Sequence, residues 1–141
     1  MPNSPRRNKR AKPGSDGVDA TLARQGGLSY LEIPAADVRQ SAIFYEIVCG
    51  WKIDERDTND FRFAELSGQL IGRFVTGRAI SRKPGWLPFI YVHHIEKAVE
   101  QVGKVGGEVA KSPYPEGNLL VAIIRDPAGN MLGLWEQAAP R

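Results

Sequence analysis

The order of strand and helix patterns is repeated once along the chain, and this repeat limits the possible folds more than any other feature. In the first half, alternating residues over 28–33 indicate a strand, and apolar residues at helical spacing follow up to Gly50. In the second half, a strand pattern over 86–92 precedes a helical pattern that ends before Gly107. Gly107 lies 57 positions after Gly50, and at this shift the elements of the two halves fall into register. The chain therefore contains a duplicated module.

Three further strands are predicted after each helix, so each half has the order βαβββ. Module one spans residues 27–80, and module two spans residues 86–137. The sequence thus predicts an α+β fold in which two tandem βαβββ modules form a curved, incompletely closed barrel around a ligand cup. The strands predicted after the helices are 51–55, 61–66 and 69–76 in module one, and 108–111, 118–125 and 131–136 in module two.

Positive charge is concentrated at the amino-terminal end. Residues 1–26 contain six basic and two acidic residues, whereas the remainder contains 13 basic and 14 acidic residues. This stretch is polar, rich in Pro and Gly and without an apolar period, so we expect residues 1–26 to form a disordered basic tail. Binding of nucleic acid through the tail is an alternative function. We do not expect nucleic acid as a partner, because the basic run is short and the folded part carries no excess of positive charge.

Length, composition and the single cysteine exclude several classes of protein. A chain of 141 residues with 42% hydrophobic and 25% charged residues can form one ordinary domain without disulfides or a structural metal. No apolar run is long enough to span a membrane, and no secretory signal is recognisable, so we expect a cytoplasmic protein. Cys49 is the only cysteine, and we expect it in the core rather than as a nucleophile.

Three segments, in their order on the doubled pattern, resemble a known superfamily. They are residues 30–37 (YLEIPAAD), 44–51 (FYEIVCGW) and 126–136 (DPAGNMLGLWE). Together they resemble the vicinal oxygen chelate superfamily of glyoxalases, bleomycin resistance proteins and extradiol dioxygenases, over residues 27–137. The resemblance implies the paired modules and a homodimer. For the enzymes it also implies metal ligands on the first and last strands of each module, around a divalent ion that acts as a Lewis acid.

Most of the metal ligands that the resemblance implies are missing from this sequence. The first-strand positions hold Tyr30 and Leu87, and residues 69–76 contain no carboxylate or imidazole. Only Glu136 matches a ligand position, whereas a transition metal needs three or four converging donors. We therefore expect no metal site and no cofactor. A divalent metal held by an unusual ligand set around Glu136 stays open as the alternative.

Aromatic side chains with a few polar groups are predicted to face the cup, as in many small-molecule pockets. Aromatic residues would equally fill the interior of the barrel, so this alternative stays open. Arg73 could pair with Glu136 or with a carboxylate of the ligand. Without a metal, Glu136 is the candidate general acid or base. The predicted ligand-binding residues are Tyr30, Glu32, Arg73, Phe89, Tyr91 and Glu136.

The adjacent His93 and His94 lie at the end of a predicted strand, so at most one of them can face the cup. We favour a turn or helix-cap role for His94. These observations favour a metal-independent, small-molecule-binding protein that sequesters an aromatic or amphipathic compound. The alternative is a metal-dependent lyase or dioxygenase of the same superfamily that uses Glu136. Whether the protein is an enzyme stays open.

Overall fold

The computed structural model describes residues 20–137, which form an α+β fold of two helices and eight strands. Each helix follows one strand and precedes three, so the predicted βαβββ order is confirmed in both modules. The elements are β1 (Tyr30–Pro34), α1 (Val38–Cys49), β2 (Lys52–Asp57), β3 (Asp60–Ala64), β4 (Ile71–Val75), β5 (Phe89–Tyr91), α2 (Ile95–Lys104), β6 (Glu108–Glu116), β7 (Leu119–Arg125) and β8 (Met131–Gln137).

The strands form two separate four-stranded mixed sheets, which are not closed into a barrel. The strand order is β1-β4-β3-β2 in the first sheet and β5-β8-β7-β6 in the second. In each sheet the first strand of the module pairs in parallel with the last, and the other pairs are antiparallel. The predicted fold class is therefore confirmed, and β1 and β5 are edge strands of their sheets.

Each sheet has one face packed against a helix, here called the helix face, and an opposite open face. Side chains alternate between these faces along a strand. In β1, Leu31 and Ile33 pack on the core with the buried rings of Phe63 and Phe74, so they lie on the helix face. Glu32 lies between them and therefore points to the open face.

The two helices begin in different ways. The side chain of Asp37 accepts a hydrogen bond from a backbone N–H in the first turn of α1, and Gly50 ends this helix with a φ of 75°. His94 occupies the N-cap position of α2, as predicted, but its side chain makes no capping hydrogen bond. Instead, the Oε1 atom of Glu136 in β8 accepts a hydrogen bond from the backbone N–H of Ile95 at 2.8 Å. A distant strand thus supplies the acceptor that the cap residue does not.

A buried carboxylate joins the two modules. The hydroxyl of Tyr45 in α1 donates to Oδ2 of Asp126 at 2.8 Å, and both residues are buried. The Oδ1 atom of Asp126 accepts hydrogen bonds from the backbone N–H groups of residues 128–130 and so organises the turn before β8. From this turn, the amide of Asn130 donates to the carbonyl of Pro34 at 2.7 Å. The turn before β8 therefore also connects module two to module one.

Close packing also holds the two modules together. A side chain at Gly107 would lie 2.5 Å from the ring of Phe44 in α1 and 2.6 Å from the carbonyl oxygen of Arg125. Phe44 is fully buried. Glycine at this position therefore lets α1 of module one pack directly against module two.

Residues 20–26, at the end of the predicted tail, lie within the described part of the chain. Leu22 is buried, and the hydroxyl of Thr21 donates to the carbonyl of Gly68. The guanidinium of Arg24 donates to three backbone carbonyls, including that of Gln69. Residues 20–26 therefore pack against the loop before β4, because one apolar side chain and one arginine find local partners. The prediction for residues 1–19 lies outside the described residues.

The predicted strand over 86–92 is shorter than expected. Only Phe89–Tyr91 pairs with β8, and residues 86–88 run along the surface without strand pairing. Pro88 has no N–H to donate to a neighbouring strand, which explains the late start of β5. Within residues 20–137, no helix is long and apolar enough to cross a membrane.

The hydrogen bond between Tyr45 and Asp126 predicts a large loss of stability in Tyr45→Phe. Removal of the hydroxyl leaves the buried Asp126 without one of its hydrogen-bond donors, so we expect the free energy of unfolding to fall by about 1–3 kcal/mol. Urea denaturation monitored by circular dichroism measures this change. Tyr30→Phe is the matched control, because the hydroxyl of Tyr30 is exposed. Equal stability of the two variants would contradict the structural role of the joint.

The same pair predicts the pH dependence. Burial and the neighbouring Asp126 carboxylate raise the pKa of Tyr45 well above its ordinary value. A raised pKa in the folded state stabilises the protein below the ordinary tyrosine pKa, and this contribution is lost as the pH rises toward the folded pKa. The wild type should therefore lose more stability at alkaline pH than Tyr45→Phe does.

Candidate functional site

A pocket of about 610 Å³ lies between the two modules. Its walls come from β1, from the first turns of the structure around Leu28, from residues 86–90 and from residues 130–132 at the start of β8. Tyr45 and Trp51 close it on the side of α1. The lining is predominantly apolar, and Glu32 is the only charged residue among the described residues that line it.

The pocket exists because the edges of the two sheets do not pair. The modules are joined near the end of β1, where Asn130 reaches Pro34, whereas β1 and β5 belong to separate sheets. Leu31 and Ile33 from the helix face of β1 therefore line the pocket together with Glu32 from its open face. The pocket thus takes side chains from both faces of β1.

Residues 86–88, which the sequence predicts as part of a strand, form a rim of the pocket. Trp86 lines the pocket although it is 87% exposed. Leu87 and Pro88 follow it along the same wall. The signal that could have revealed this rim is the proline on either side of the tryptophan, at Pro84 and Pro88, because proline disfavours strand pairing.

Four charged or polar side chains form a cluster at the wall of the pocket, here called the Glu32 cluster (Tyr30, Glu32, Arg73 and Arg78). One carboxylate oxygen of Glu32 accepts a hydrogen bond from Arg78 at 2.5 Å, and the other accepts one from the hydroxyl of Tyr30 at 3.2 Å. The Nε atom of Arg73 lies 3.6 Å from the second oxygen. The hydrogen bond from Arg78 is the main cause that lowers the pKa of Glu32, so this carboxylate is ionised at neutral pH.

The opposite side of the site is aromatic. Phe89 is 50% exposed and lies against Gly133, where any side chain would meet its ring at 2.4 Å. Tyr91, two residues along β5, contacts the indole of Trp135 edge to face at 4.9 Å. The Nδ1 atom of His93 lies 3.3 Å from the hydroxyl of Tyr91. An apolar surface with polar groups at one end therefore continues from the pocket along the open face of module two.

The predicted ligand-binding residues do not all come together. Glu32 and Phe89 line the pocket, and Tyr30 and Arg73 contact Glu32 beside it. Tyr91 is not among the lining residues, and Arg73 pairs with Glu32 rather than with the carboxylate of β8 that was suggested as its partner. Binding of a ligand by these residues stays a prediction.

Glu136 lies on the face opposite to the one expected. In β8, Leu132 and Leu134 are buried in the core, and Glu136 shares their alternation. Gly133 and Trp135 occupy the open face instead. The expected inward orientation of Glu136 is therefore wrong, because its carboxylate is directed to the start of α2.

The donor set around Glu136 does not fit the divalent metal that the fold family implies. One of its oxygens already accepts the N–H of Ile95, where the helix dipole also favours a carboxylate. Within residues 20–137, no group of three or more histidine, cysteine, aspartate or glutamate side chains is placed to hold a metal ion.

Cys49 is not a candidate nucleophile. Burial raises the pKa of its thiol to about 12, so the reactive thiolate is scarce at neutral pH. Cys49 packs against the main apolar core, in agreement with its expected position.

The chain belongs to the glyoxalase-like domain family, whose model matches residues 30–134. This match and the fold place it in the vicinal oxygen chelate superfamily, as the sequence segments indicated. No curated protein sequence matches.

Several solved structures share the fold. A glyoxalase/bleomycin resistance protein/dioxygenase family enzyme from Burkholderia phytofirmans PsJN is 20% identical, with a TM-score of 0.66 over 79% of this chain and 99% of that one. The protein SA1046 from S. aureus is 16% identical, with a TM-score of 0.65 over 79% and 93%. The fosfomycin resistance protein FosX from Mesorhizobium loti is 17% identical, with a TM-score of 0.64 over 80% and 93%. At these identities the likeness concerns the fold alone.

The position of Glu136 predicts a role in stability. Glu136→Ala removes the acceptor for the N–H of Ile95, and we expect the free energy of unfolding to fall by about 1 kcal/mol, as for the loss of a helix cap. Glu136→Gln retains an oxygen that can accept this hydrogen bond, so its effect should be smaller. Gln137→Ala, at the exposed next position, is the control for both in urea denaturation. An unchanged stability of Glu136→Ala would refute the capping role.

Proposed function

We propose that the protein binds a small amphipathic molecule in the pocket between its modules, and that it does so without a metal. The observation that carries this proposal is the pocket itself, with about 610 Å³ of space, an apolar lining and a single carboxylate at its wall. Pockets for small molecules commonly have volumes of about 300–1,000 Å³ and combine apolar walls with few polar groups.

The chemistry of the lining supports an aromatic or aliphatic body for the ligand. Leu31, Ile33 and Leu132 provide aliphatic surface, and Phe89 and Trp86 provide exposed rings. Exposure of these rings in the described chain has an energetic cost, because large apolar side chains are normally removed from water. A ligand that covers them recovers part of this free energy. Sequestration of a metabolite or drug is the form of function that this chemistry favours.

A metal-dependent lyase or dioxygenase that uses Glu136 is the less favoured candidate. Such an enzyme needs several converging donors around a metal that keeps a position open for the substrate. The carboxylate of Glu136 lies on the helix face and serves α2. This placement supports binding without the usual metal.

Binding can be tested with a neutral fluorescent probe, N-phenyl-1-naphthylamine, whose emission rises in an apolar site. We expect saturable binding, and we expect Phe89→Ala to weaken it by about fivefold, because burial of a ring against a ligand contributes on the order of 1 kcal/mol or more. Tyr91→Ala is the matched control on the same strand and face, since Tyr91 is similarly exposed but does not line the pocket. Absence of saturable binding, or equal losses in both variants, would contradict the proposed site.

The absence of a metal requirement can be tested on protein purified without chelators. We expect elemental analysis to find far less than one equivalent of nickel, zinc, iron or manganese per chain, and we expect treatment with EDTA to leave probe binding unchanged. These expectations follow from the donor set around Glu136, because a single engaged carboxylate does not hold a transition metal against water. Stoichiometric metal that is lost together with probe binding would support the enzyme instead.

The expected homodimer stays a prediction. The same holds for the expected cytoplasmic location and for the expectation that nucleic acid is not a partner.

A further inference from the structure

Charge in the Glu32 cluster is not balanced. Glu32 carries one negative charge, whereas Arg73 and Arg78 each carry a positive charge beside it. Arg78 takes one oxygen of this carboxylate at 2.5 Å. These three side chains, of which Glu32 lines the pocket, therefore carry an excess of one positive charge beside it.

We infer that the ligand is an amphipathic anion whose carboxylate, sulfonate or phosphate group binds Arg73 while its apolar body enters the pocket. This inference rests on the proposed function, because it names the class of molecule that the same pocket would accept. It is not implied by the apolar lining alone, which a neutral compound would fit equally well.

The geometry of Arg73 supports this role. Arg73 lies directly opposite Glu32 in the pairing of β1 with β4, so its side chain stands next to a residue that lines the pocket. Its Nε atom is 3.6 Å from Glu32, which is too long for a good hydrogen bond. A guanidinium carries five N–H donors and binds carboxylate or phosphate through two of them. Within residues 20–137, this single long contact is the only ion pair of Arg73.

The neighbouring arginine on the open face is already engaged. Arg62 lies opposite Arg73 in the pairing of β3 with β4, and it donates two hydrogen bonds to Asp60 at 3.1 and 3.2 Å. Arg73 therefore has a second cation beside it and no further acidic side chain within ion-pair distance in the described chain. Its side chain is 45% exposed, so an anion can reach it from solvent.

A cationic ligand on Glu32 is the less favoured class. Such a ligand would have to displace the hydrogen bond from Arg78 and the one from Tyr30, because both carboxylate oxygens already have donors. It would also approach two guanidinium groups of the same sign. An anion needs no such displacement.

The inference can be tested with two probes that share the same ring system. N-phenyl-1-naphthylamine is neutral, whereas 8-anilinonaphthalene-1-sulfonate carries a sulfonate. We expect Arg73→Gln to weaken binding of the sulfonate about tenfold, as for the loss of a charged hydrogen bond at a half-exposed site, and to change binding of the neutral probe less than twofold. Arg39→Gln is the matched control: it removes the same charge at a residue that pairs with Glu55, away from the lining residues.

A second variant should act in the opposite direction. Glu32→Gln removes the carboxylate that competes for Arg73 and Arg78, so we expect the sulfonate to bind several-fold more tightly at low salt and this gain to shrink at high salt. Weaker binding of the sulfonate in Glu32→Gln would overturn the inference. Each variant should unfold within a few degrees of the melting temperature of the wild type, which shows that the comparison concerns folded protein.

The outcomes separate this inference from the proposed function. One outcome is that the neutral probe binds while Arg73→Gln weakens binding of the sulfonate probe no more than Arg39→Gln does. In that case the inference of an anionic ligand is wrong, and the proposed binding pocket is still supported. If neither probe binds the wild type, the proposed function itself fails. Binding of the sulfonate that depends on Arg73 and not on Arg39 supports both.

Discussion

The arrangement of the two modules depends on the hydrogen bonds that the buried carboxylate of Asp126 accepts. It lies almost out of contact with water, and such a group is costly unless its oxygens accept hydrogen bonds. Tyr45 supplies one donor from module one, and the turn of residues 128–130 supplies four from module two, namely three backbone N–H groups and the side-chain amide of Asn130. Since these donors come from both modules, separation of the modules would leave the Asp126 side chain without part of its hydrogen bonding.

This joint lies at one end of β1 and leaves the edges of the sheets apart elsewhere. Asn130 reaches the carbonyl of Pro34 at the end of the strand, whereas the earlier part of β1 faces residues 86–90 across the pocket. The same contacts thus fix the relative position of the modules and keep a space between them. The apolar side chains that a fully joined core would bury are instead available to a ligand.

The sequence predicted the fold more fully than the site, for physical reasons. The periodicity of hydrophobic residues and the residues that begin or end a helix, such as Asp37 and Gly50, are local features of the sequence. Both helices and the βαβββ order could therefore be predicted. The pocket depends on the absence of pairing between the edges of the two sheets. The alternation of side chains along one strand does not predict which sheet edges will pair. Glu136 shows the limit: it matches a ligand position of the resembled superfamily and was expected to face the cup, but its alternation with the buried Leu132 and Leu134 places its side chain on the helix face. Glu32 and Phe89 were predicted for the site because their own strands carry the correct alternation.

The capping of α2 by Glu136 also has a consequence for the order in which the protein is assembled. α1 receives its capping acceptor from Asp37, which precedes it directly, so this helix can complete its first turn as soon as it leaves the ribosome. α2 must wait for a residue 41 positions further along the chain than Ile95. The second module therefore cannot satisfy the start of its own helix until β8 has been synthesised, so α2 is completed only together with the last strand of its module.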